Sequence, residues 1–212
     1  MSKSFLSIIY FVYYLNIYAN GMFTSAQLSQ IISHHFNDFG GVHLYFCTPK
    51  AAKSIFKRIF EGNNVYNIKS LDRSLKNKNI EVNFQQPQVQ GIYLDLTCNH
   101  GVAFLHQSSK MFNSSYRWLL WSDNYKNTVD LLTPMRVLAD SDVTMAIYEE
   151  HGVILADIYR IHESQPFRIT NFTQWSDSKW IHLDVPLARD NFESIELAAS
   201  LMLSFTIYIS IK

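Results

Sequence analysis

The sequence predicts an α/β fold, a single doubly wound, mostly parallel sheet with a C-terminal antiparallel hairpin. Residues 91–98 are almost wholly apolar and β-favouring, which is typical of a strand buried on both faces. Similar stretches at 42–47 and 116–121 flank it, with helix-period segments between them. Further on, 143–148 and 153–161 are strand-like and lack a helix between them, which predicts the hairpin.

Length, composition and charge restrict the classes of protein. The 212 residues are enough for one domain with a core. Aromatic residues make up 15%, so the chain can bury a large apolar area. The 18 basic residues equal the 18 acidic ones, which argues against nucleic acid as a partner because such proteins carry a basic patch.

The first 21 residues, 1–21, are typical of a secretory signal peptide. Lys3 supplies the positive charge, 5–18 is apolar and aromatic, and Ala19 and Gly21 are small residues before the expected cleavage site. A membrane anchor or a buried helix is the alternative, but the apolar run is shorter than the roughly 20 residues that a spanning helix needs. We therefore expect entry into the secretory pathway and cleavage after Gly21.

Other features agree with export. Asn113 and Asn171 begin N-x-S/T sequons and are candidate glycosylation sites. The chain has two cysteines, Cys47 and Cys98. Residues 197–211 form a second apolar run, which we interpret either as the first strand of a missing domain or as an abnormal tail produced by truncation.

Helix signals begin with Thr24 and Gln27, which fit a capping box. The apolar face of this helix is expected to contain Leu28, Ile31, Ile32 and Phe36. His34 and His35 lie in the same helix, but neighbouring helical positions point in different directions, so we interpret them as surface or boundary residues. A second helix starts at Thr48, and its buried face is expected to contain Ile55, Phe56, Ile59 and Phe60.

The middle of the chain is more varied. Residues 63–79 are polar and predict a loop with a short helix around 70–76, and 80–84 alternates as an edge strand does. A helix is expected over 101–112 and a short one over 124–132. The inward residues of the longer helix are expected to be Val102, Leu105 and Phe112. His151 and Gly152 suit the hairpin turn, and extended segments are expected beyond residue 166.

Catalytic and metal sites are weakly indicated. Asp95 lies within the predicted central strand, where a carboxylate is either functional or has a structural role, in which it caps a loop or pairs with a basic neighbour. Glycine-rich phosphate loops and the G-x-S-x-G motif are absent from the sequence. Cys98 and His100 lack a second ligand pair at zinc spacing. We therefore predict no enzyme, no catalytic, cofactor-binding or metal site, and no cofactor.

The two cysteines are predicted to pair. Cys47 and Cys98 end the predicted strands 42–47 and 91–98. These are strands one and three of the α/β unit, which are neighbours in the doubly wound order 2-1-3-4-5. Their positions at the carboxyl ends are compatible with a disulfide, which an exported chain favours. Two buried free thiols are the alternative.

Residues 168–200 contain a junction motif, whose residues are Trp175, Arg189, Asn191, Phe192, Ile195 and Leu197. This motif resembles the junction between the extracellular amino-terminal domain and the ligand-binding domain of insect chemosensory ionotropic receptors, relatives of the ionotropic glutamate receptors. Ser194 stands where the family usually has glycine. Upstream, the leader and the two strands that end in cysteine resemble the amino-terminal domain of the seventy-five class.

The resemblance implies a periplasmic-binding-protein-like lobe on a ligand-gated cation channel. It assigns 22–166 to the extracellular amino-terminal domain and 167–212 to an extended junction toward a missing ligand-binding domain. Partners would be other receptor subunits, including a co-receptor, at the extracellular face of the plasma membrane. The ligand is not indicated. The alternatives are a secreted, soluble α/β binding or interaction domain without a channel and an exported enzyme.

Overall fold

The computed structural model describes residues 24–59, 65–71, 89–149, 152–176 and 179–182. The helices are α1 (Ser25–His35), α2 (Pro49–Ile59), α3 (Asn99–Gln107) and α4 (Tyr125–Leu132), with a 3-10 helix at Ser109–Met111. The strands are β1 (Gly41–Phe46), β2 (Val65–Ser70), β3 (Gln90–Asp95), β4 (Tyr116–Ser122), β5 (Asp142–Glu149), β6 (Gly152–Tyr159), β7 (Arg168–Ser176) and β8 (Lys179–His182).

These strands form one eight-stranded sheet in the order β2-β1-β3-β4-β5-β6-β7-β8. The pairs from β2 to β5 are parallel, and the pairs from β5 to β8 are antiparallel. The predicted α/β class is therefore confirmed, with β5 and β6 as the antiparallel hairpin. Strand β3 lies between β1 and β4, as expected of the central strand, and all of its residues are buried.

Helices cover both faces of the sheet, because β3 buries alternate side chains in two cores. On one side, Tyr93 belongs to the core that contains Ile31 of α1 and Ile55 of α2. On the other side, Leu94 belongs to the core that contains Phe104 of α3. We refer to these two sides as the α1–α2 face and the α3–α4 face.

The two helices of the α1–α2 face begin where the sequence predicts. The Thr24 side chain accepts from the Gln27 amide, and the Gln27 side chain accepts from the Thr24 amide, which completes the capping box. Thr48 Oγ1 accepts from the Ala51 amide at the start of α2. Within α2, the expectation that Phe56 is buried is wrong, because its side chain is 47% exposed. Ile55 and Ile59, four residues apart, lie on the face of α2 that packs against the sheet. Phe56 lies to the side of this face and is therefore exposed.

The stretch expected to be a loop with a short helix contains β2, which pairs in parallel with β1. Its exposed residues Val65 and Asn67 alternate with less exposed ones, the pattern of an edge strand. The strand replaces the loop expected before residue 70, whereas the short helix expected around 70–76 lies, after residue 71, outside the described residues. The strand expected at 80–84, like Phe60, lies outside the described residues.

The α3–α4 face also differs in detail from the prediction. Helix α3 ends at Gln107, and the expected continuation to residue 112 is a 3-10 turn. The Ser108 hydroxyl donates to the Phe104 carbonyl, which accompanies the end of the helix. At the β5–β6 turn, Gly152 has a φ of +138°, a backbone conformation that residues with a Cβ atom rarely adopt. Among the described residues, no helix is long and apolar enough to cross a bilayer.

Candidate functional site

The carboxyl ends of β1 and β3 form the first candidate site. The chain leaves β1 toward β2 on one side and leaves β3 toward β4 on the other, which makes this the topological switch point. Ligands of open α/β sheets commonly bind at such a point. The residues at the ends of the two strands are Cys47, Asp95, Thr97 and Cys98.

Asp95 is 8% exposed, and both of its carboxylate oxygens are used within the chain. Oδ2 accepts from the backbone amide of Cys47 at 3.2 Å. Oδ1 accepts from the amide of Thr97 at 3.1 Å and from its hydroxyl at 2.7 Å. These contacts hold the turns that follow β1 and β3. Of the two interpretations of Asp95, loop capping is therefore the one that the contacts support.

Cys47 and Cys98 are joined by a disulfide in the structure, with their Cα atoms 5.9 Å apart. The pairing is possible because β1 and β3 are adjacent and parallel, so that their carboxyl ends meet at one edge of the sheet. Together with the Asp95 hydrogen bonds, the bridge ties the two sides of the switch point to each other.

A second candidate site lies on the α1–α2 face, where the end of α1 meets the antiparallel part of the sheet. It is a cavity of about 380 Å³, which we call the α1 cavity. Its lining includes the side chains of His34, Arg117, Asp142, Thr144, Asp157 and Trp180. Helix, parallel strands and antiparallel strands thus all contribute to one polar and aromatic pocket.

The charged residues of the α1 cavity are already ordered by one another. Arg117 Nε contacts Asp142 Oδ2 at 2.6 Å, and the two side chains are about one third exposed. The guanidinium of Arg117 also lies over the Phe39 ring, 4.6 Å from its centroid. Thr144 donates its hydroxyl to Asp157 Oδ1 at 2.8 Å. The positions of both carboxylates are therefore fixed before any ligand binds.

The aromatic wall of the α1 cavity joins α1 to β8. His34 and Trp180 stack with their ring centroids 4.3 Å apart. His34 is exposed and His35 is partly buried, which fits their interpretation as surface or boundary residues. His35 Nε2 is buried and has no hydrogen-bond partner among the described residues. Burial, and then the charge of Arg117, lower the pKa of His35 to about 3, so its ring is neutral near pH 7.

The other residues singled out in the sequence are dispersed. Asn113 follows the 3-10 helix, where its Oδ1 accepts from the Ser115 amide and its Nδ2 donates to the Lys110 carbonyl. Trp175 lies in β7 and is 2% exposed, within the core of the α1–α2 face. The side chain of Asn171, the signal peptide and the rest of the junction motif, namely Arg189, Asn191, Phe192, Ile195 and Leu197, lie outside the described residues.

The α1 cavity was not predicted from the sequence. Asp142 and Thr144 alternate with apolar residues along β5, and this alternation is the available signal for a polar strip on one face. Only the pairing of Arg117 with Asp142 and of Thr144 with Asp157 across strands brings the strip together. Within the described part of the chain, no three His, Cys, Asp or Glu side chains are grouped to hold a metal ion.

The α/β fold with its mixed, half-parallel sheet is that expected of a lobe of the periplasmic-binding-protein type. The family model described as ionotropic receptor 75a N-terminal matches residues 22–202. The chain therefore belongs to this family, that of an ionotropic receptor amino-terminal domain. No curated protein and no solved structure matches the chain significantly.

The family assignment indicates the general class of protein. The family is a chemosensory receptor domain and not an enzyme class. Receptors of this kind assemble from subunits that include co-receptors, and their amino-terminal domains are extracellular in general.

Proposed function

We propose that this chain serves as the extracellular amino-terminal domain of a chemosensory ionotropic receptor subunit, a ligand-gated cation channel. In this proposal the domain precedes the ligand-binding and pore regions of the receptor. The observation that carries it is the family match over residues 22–202, which includes all the described strands. The domain would act as a folded extracellular module rather than as the gate.

Export of the domain is part of the same proposal. A bridge between Cys47 and Cys98 suits an oxidising compartment, since disulfides persist in secreted and extracellular proteins. Asn113 lies in the short segment between the 3-10 helix and β4, where it is half-buried and followed by the exposed Ser114 and Ser115. We place the domain at the extracellular face of the plasma membrane, beside the corresponding domain of a co-receptor subunit.

Co-expression tests the assembly. The chain, with an epitope tag placed after residue 21, is expressed in insect cells with and without an ionotropic co-receptor subunit. Retention at the cell surface and co-migration on native gels are measured, and an unrelated secreted disulfide-bonded α/β domain serves as the control. We expect retention that depends on the co-receptor. Equal release into the medium under both conditions would favour a secreted binding domain without a channel.

A further inference from the structure

Helix α2 carries basic charge that its packing partners do not balance. Four of its 11 residues are cations, none is acidic, and all four cations are exposed: Lys50, Lys53, Lys57 and Arg58. The described elements that pack most closely against α2 are α1, β1 and β2, and their sequences contain no acidic residue either. In the part of the chain that the structure describes, none of the four cations takes part in an ion pair. The basic charge of α2 is therefore locally uncompensated, although the whole chain has a net charge of zero.

Three of these cations form one row along the outside of α2. Lys53 lies three residues after Lys50 and four before Lys57, which is the spacing of neighbours on one helix face. The row, which we call the lysine stripe, lies opposite the buried Ile55 and Ile59, which hold the helix against the sheet. At a rise of about 1.5 Å per residue, the stripe is about 10 Å long.

The lysine stripe lacks the acidic neighbours of an ordinary solvated helix face. Such a face carries both signs of charge, because oppositely charged neighbours stabilise a helix and like charges repel each other. Here Lys53 has a like charge on both sides, from Lys50 and from Lys57. Lys50 also lies in the first turn, where the positive end of the helix dipole disfavours a cation. A polyanion that lies along the stripe relieves all of these repulsions together.

We infer that the lysine stripe is a docking surface for a sulfated polysaccharide of the cell surface. The inference rests on the extracellular placement of the domain in the proposed function, since basic patches of extracellular proteins meet such polyanions there. Lysine ammonium groups act as point charges and require no fixed geometry of the anion that they contact. A flexible linear polyanion can therefore follow the stripe, with Arg58 as a further cation at its side.

Two other anionic partners fit the lysine stripe less well. A protein interface has an apolar core within a polar rim, whereas the stripe consists of lysines alone. The exposed Phe56 lies on a different side of α2 and already has an interaction within the chain. An anionic membrane binds a basic helix through its apolar face as well as its charge. The apolar face of α2 is buried against the sheet through Ile55 and Ile59 and does not reach a lipid surface.

Binding of the purified full chain to immobilised heparin, a sulfated polysaccharide, tests the inference. Affinity is measured by biolayer interferometry over a series of salt concentrations. Hyaluronan serves as a linear polysaccharide without sulfate, and polyglutamate represents an acidic protein surface. We expect heparin to bind with an affinity that falls steeply as salt is added. Hyaluronan and polyglutamate should bind at least about tenfold more weakly, because their linear charge density is lower.

Two double variants of equal net charge assign the surface. Lys53→Gln, Lys57→Gln removes two neighbouring cations of the lysine stripe, and the control Lys110→Gln, Lys126→Gln removes two exposed lysines on the α3–α4 face. Near about 0.1 M salt, we expect the stripe variant to bind heparin about tenfold more weakly and the control to change by less than about twofold. The slope of log affinity against log salt should become shallower by about 1–2 in the stripe variant alone, since each cation paired with DNA adds up to about 0.9.

The inference is overturned if heparin does not bind, if polyglutamate binds as tightly, or if the two double variants lose affinity equally. The last result would mean that net charge alone attracts heparin. Circular dichroism shows whether the variants fold, and the single variant Lys53→Gln, with an expected loss of about threefold, replaces the stripe variant if it does not. The assay needs neither a co-receptor nor a channel. Heparin binding by a chain that the co-receptor fails to retain would therefore reject the receptor assembly and leave the docking surface intact.

Discussion

The carboxylate of Asp95 accepts a hydrogen bond from the backbone amide of Cys47, 3.2 Å away on the neighbouring strand. The residue that ends the central strand thereby holds the chain at the end of β1, next to the disulfide. The same carboxylate holds its own turn through Thr97. At the point where other open α/β sheets bind ligands, this sheet has an internal clamp.

Removing the Asp95 carboxylate should therefore destabilise the fold. In Asp95→Ala, the amides of Cys47 and Thr97 lose their acceptor, and each partly buried unpaired group costs about 1–3 kcal/mol. Asp95→Asn keeps one acceptor oxygen and should lose less. Urea unfolding measures both, with the exposed Asp123→Ala as the control. Equal stability of Asp95→Ala and the control would contradict the clamp.

Leu94 gives a test of the central strand. It is fully buried in the core of the α3–α4 face, on a strand with neighbours on both sides. Truncation to alanine should lower the free energy of unfolding by roughly 2–5 kcal/mol. Ile181→Ala, at a position that is 47% exposed, should change it by less than about 0.5 kcal/mol. A loss well under about 1 kcal/mol for Leu94→Ala would mean that β3 is peripheral.

The parallel half of the sheet was predictable because its strands are short apolar runs separated by capped helices. Residues 91–98 and 116–121 show this pattern, and the Thr24–Gln27 capping box marks the start of α1. Strand β2 was missed because an edge strand buries few side chains, and so its sequence lacks an apolar run. The exposure of Phe56 depends on the rotation of α2, which only packing sets.

The site was less predictable than the fold. Asp95 is conspicuous in the sequence because a carboxylate in an apolar strand is unusual. Only the positions of Cys47 and Thr97 in the structure distinguish a loop-capping role from a functional one. Nothing along the chain links Arg117 with Asp142 or Thr144 with Asp157, because each contact joins different strands. Such a pocket can be predicted only when the register between the paired strands is known.

The disulfide should contribute to stability through the unfolded chain. Cys47 and Cys98 are 51 residues apart, and closing a loop of that length is worth about 3–4 kcal/mol in the chain-entropy model. The free energy of unfolding of the double variant Cys47→Ser, Cys98→Ser should be lower by that amount, and its urea midpoint should be lower accordingly. A reductant should bring the unaltered chain to the same midpoint and leave the variant unaffected. Peptide mapping without reductant checks the bond itself, and two alkylatable thiols would refute it.

Glycosylation of Asn113 is expected in insect cells. Among the described residues, its Nδ2 donates to the carbonyl of the exposed Lys110 at 3.2 Å, a bond that is easily exchanged for a glycan linkage. Digestion with an N-glycosidase should increase the mobility of the secreted chain. Ser115→Ala destroys this sequon, while Ser114→Ala leaves it intact and is the matched control. Any shift that remains in Ser115→Ala and vanishes on Asn171→Gln assigns a second glycan to Asn171. Equal shifts in Ser115→Ala and Ser114→Ala would exclude Asn113.

His35 should make the fold sensitive to acid. Burial and Arg117 lower its pKa to about 3, against a contribution from Asp142 that raises it. In the unfolded chain its pKa returns to the ordinary value of about 6.5. Between these two values the unfolded state binds a proton that the folded state does not, so stability is present above about pH 6.5 and is lost as the pH falls.

His35→Gln removes this group and keeps a polar side chain of similar length. From about pH 7 to about pH 5, we expect the unaltered chain to lose about 1–2 kcal/mol more stability than the variant. Urea unfolding at each pH measures the difference. The other titratable groups of the chain are present in both proteins, and their contributions cancel in the comparison. If the two proteins lose stability in parallel, His35 is protonated as readily in the folded state as in the unfolded one, and its ring is not desolvated at the end of α1.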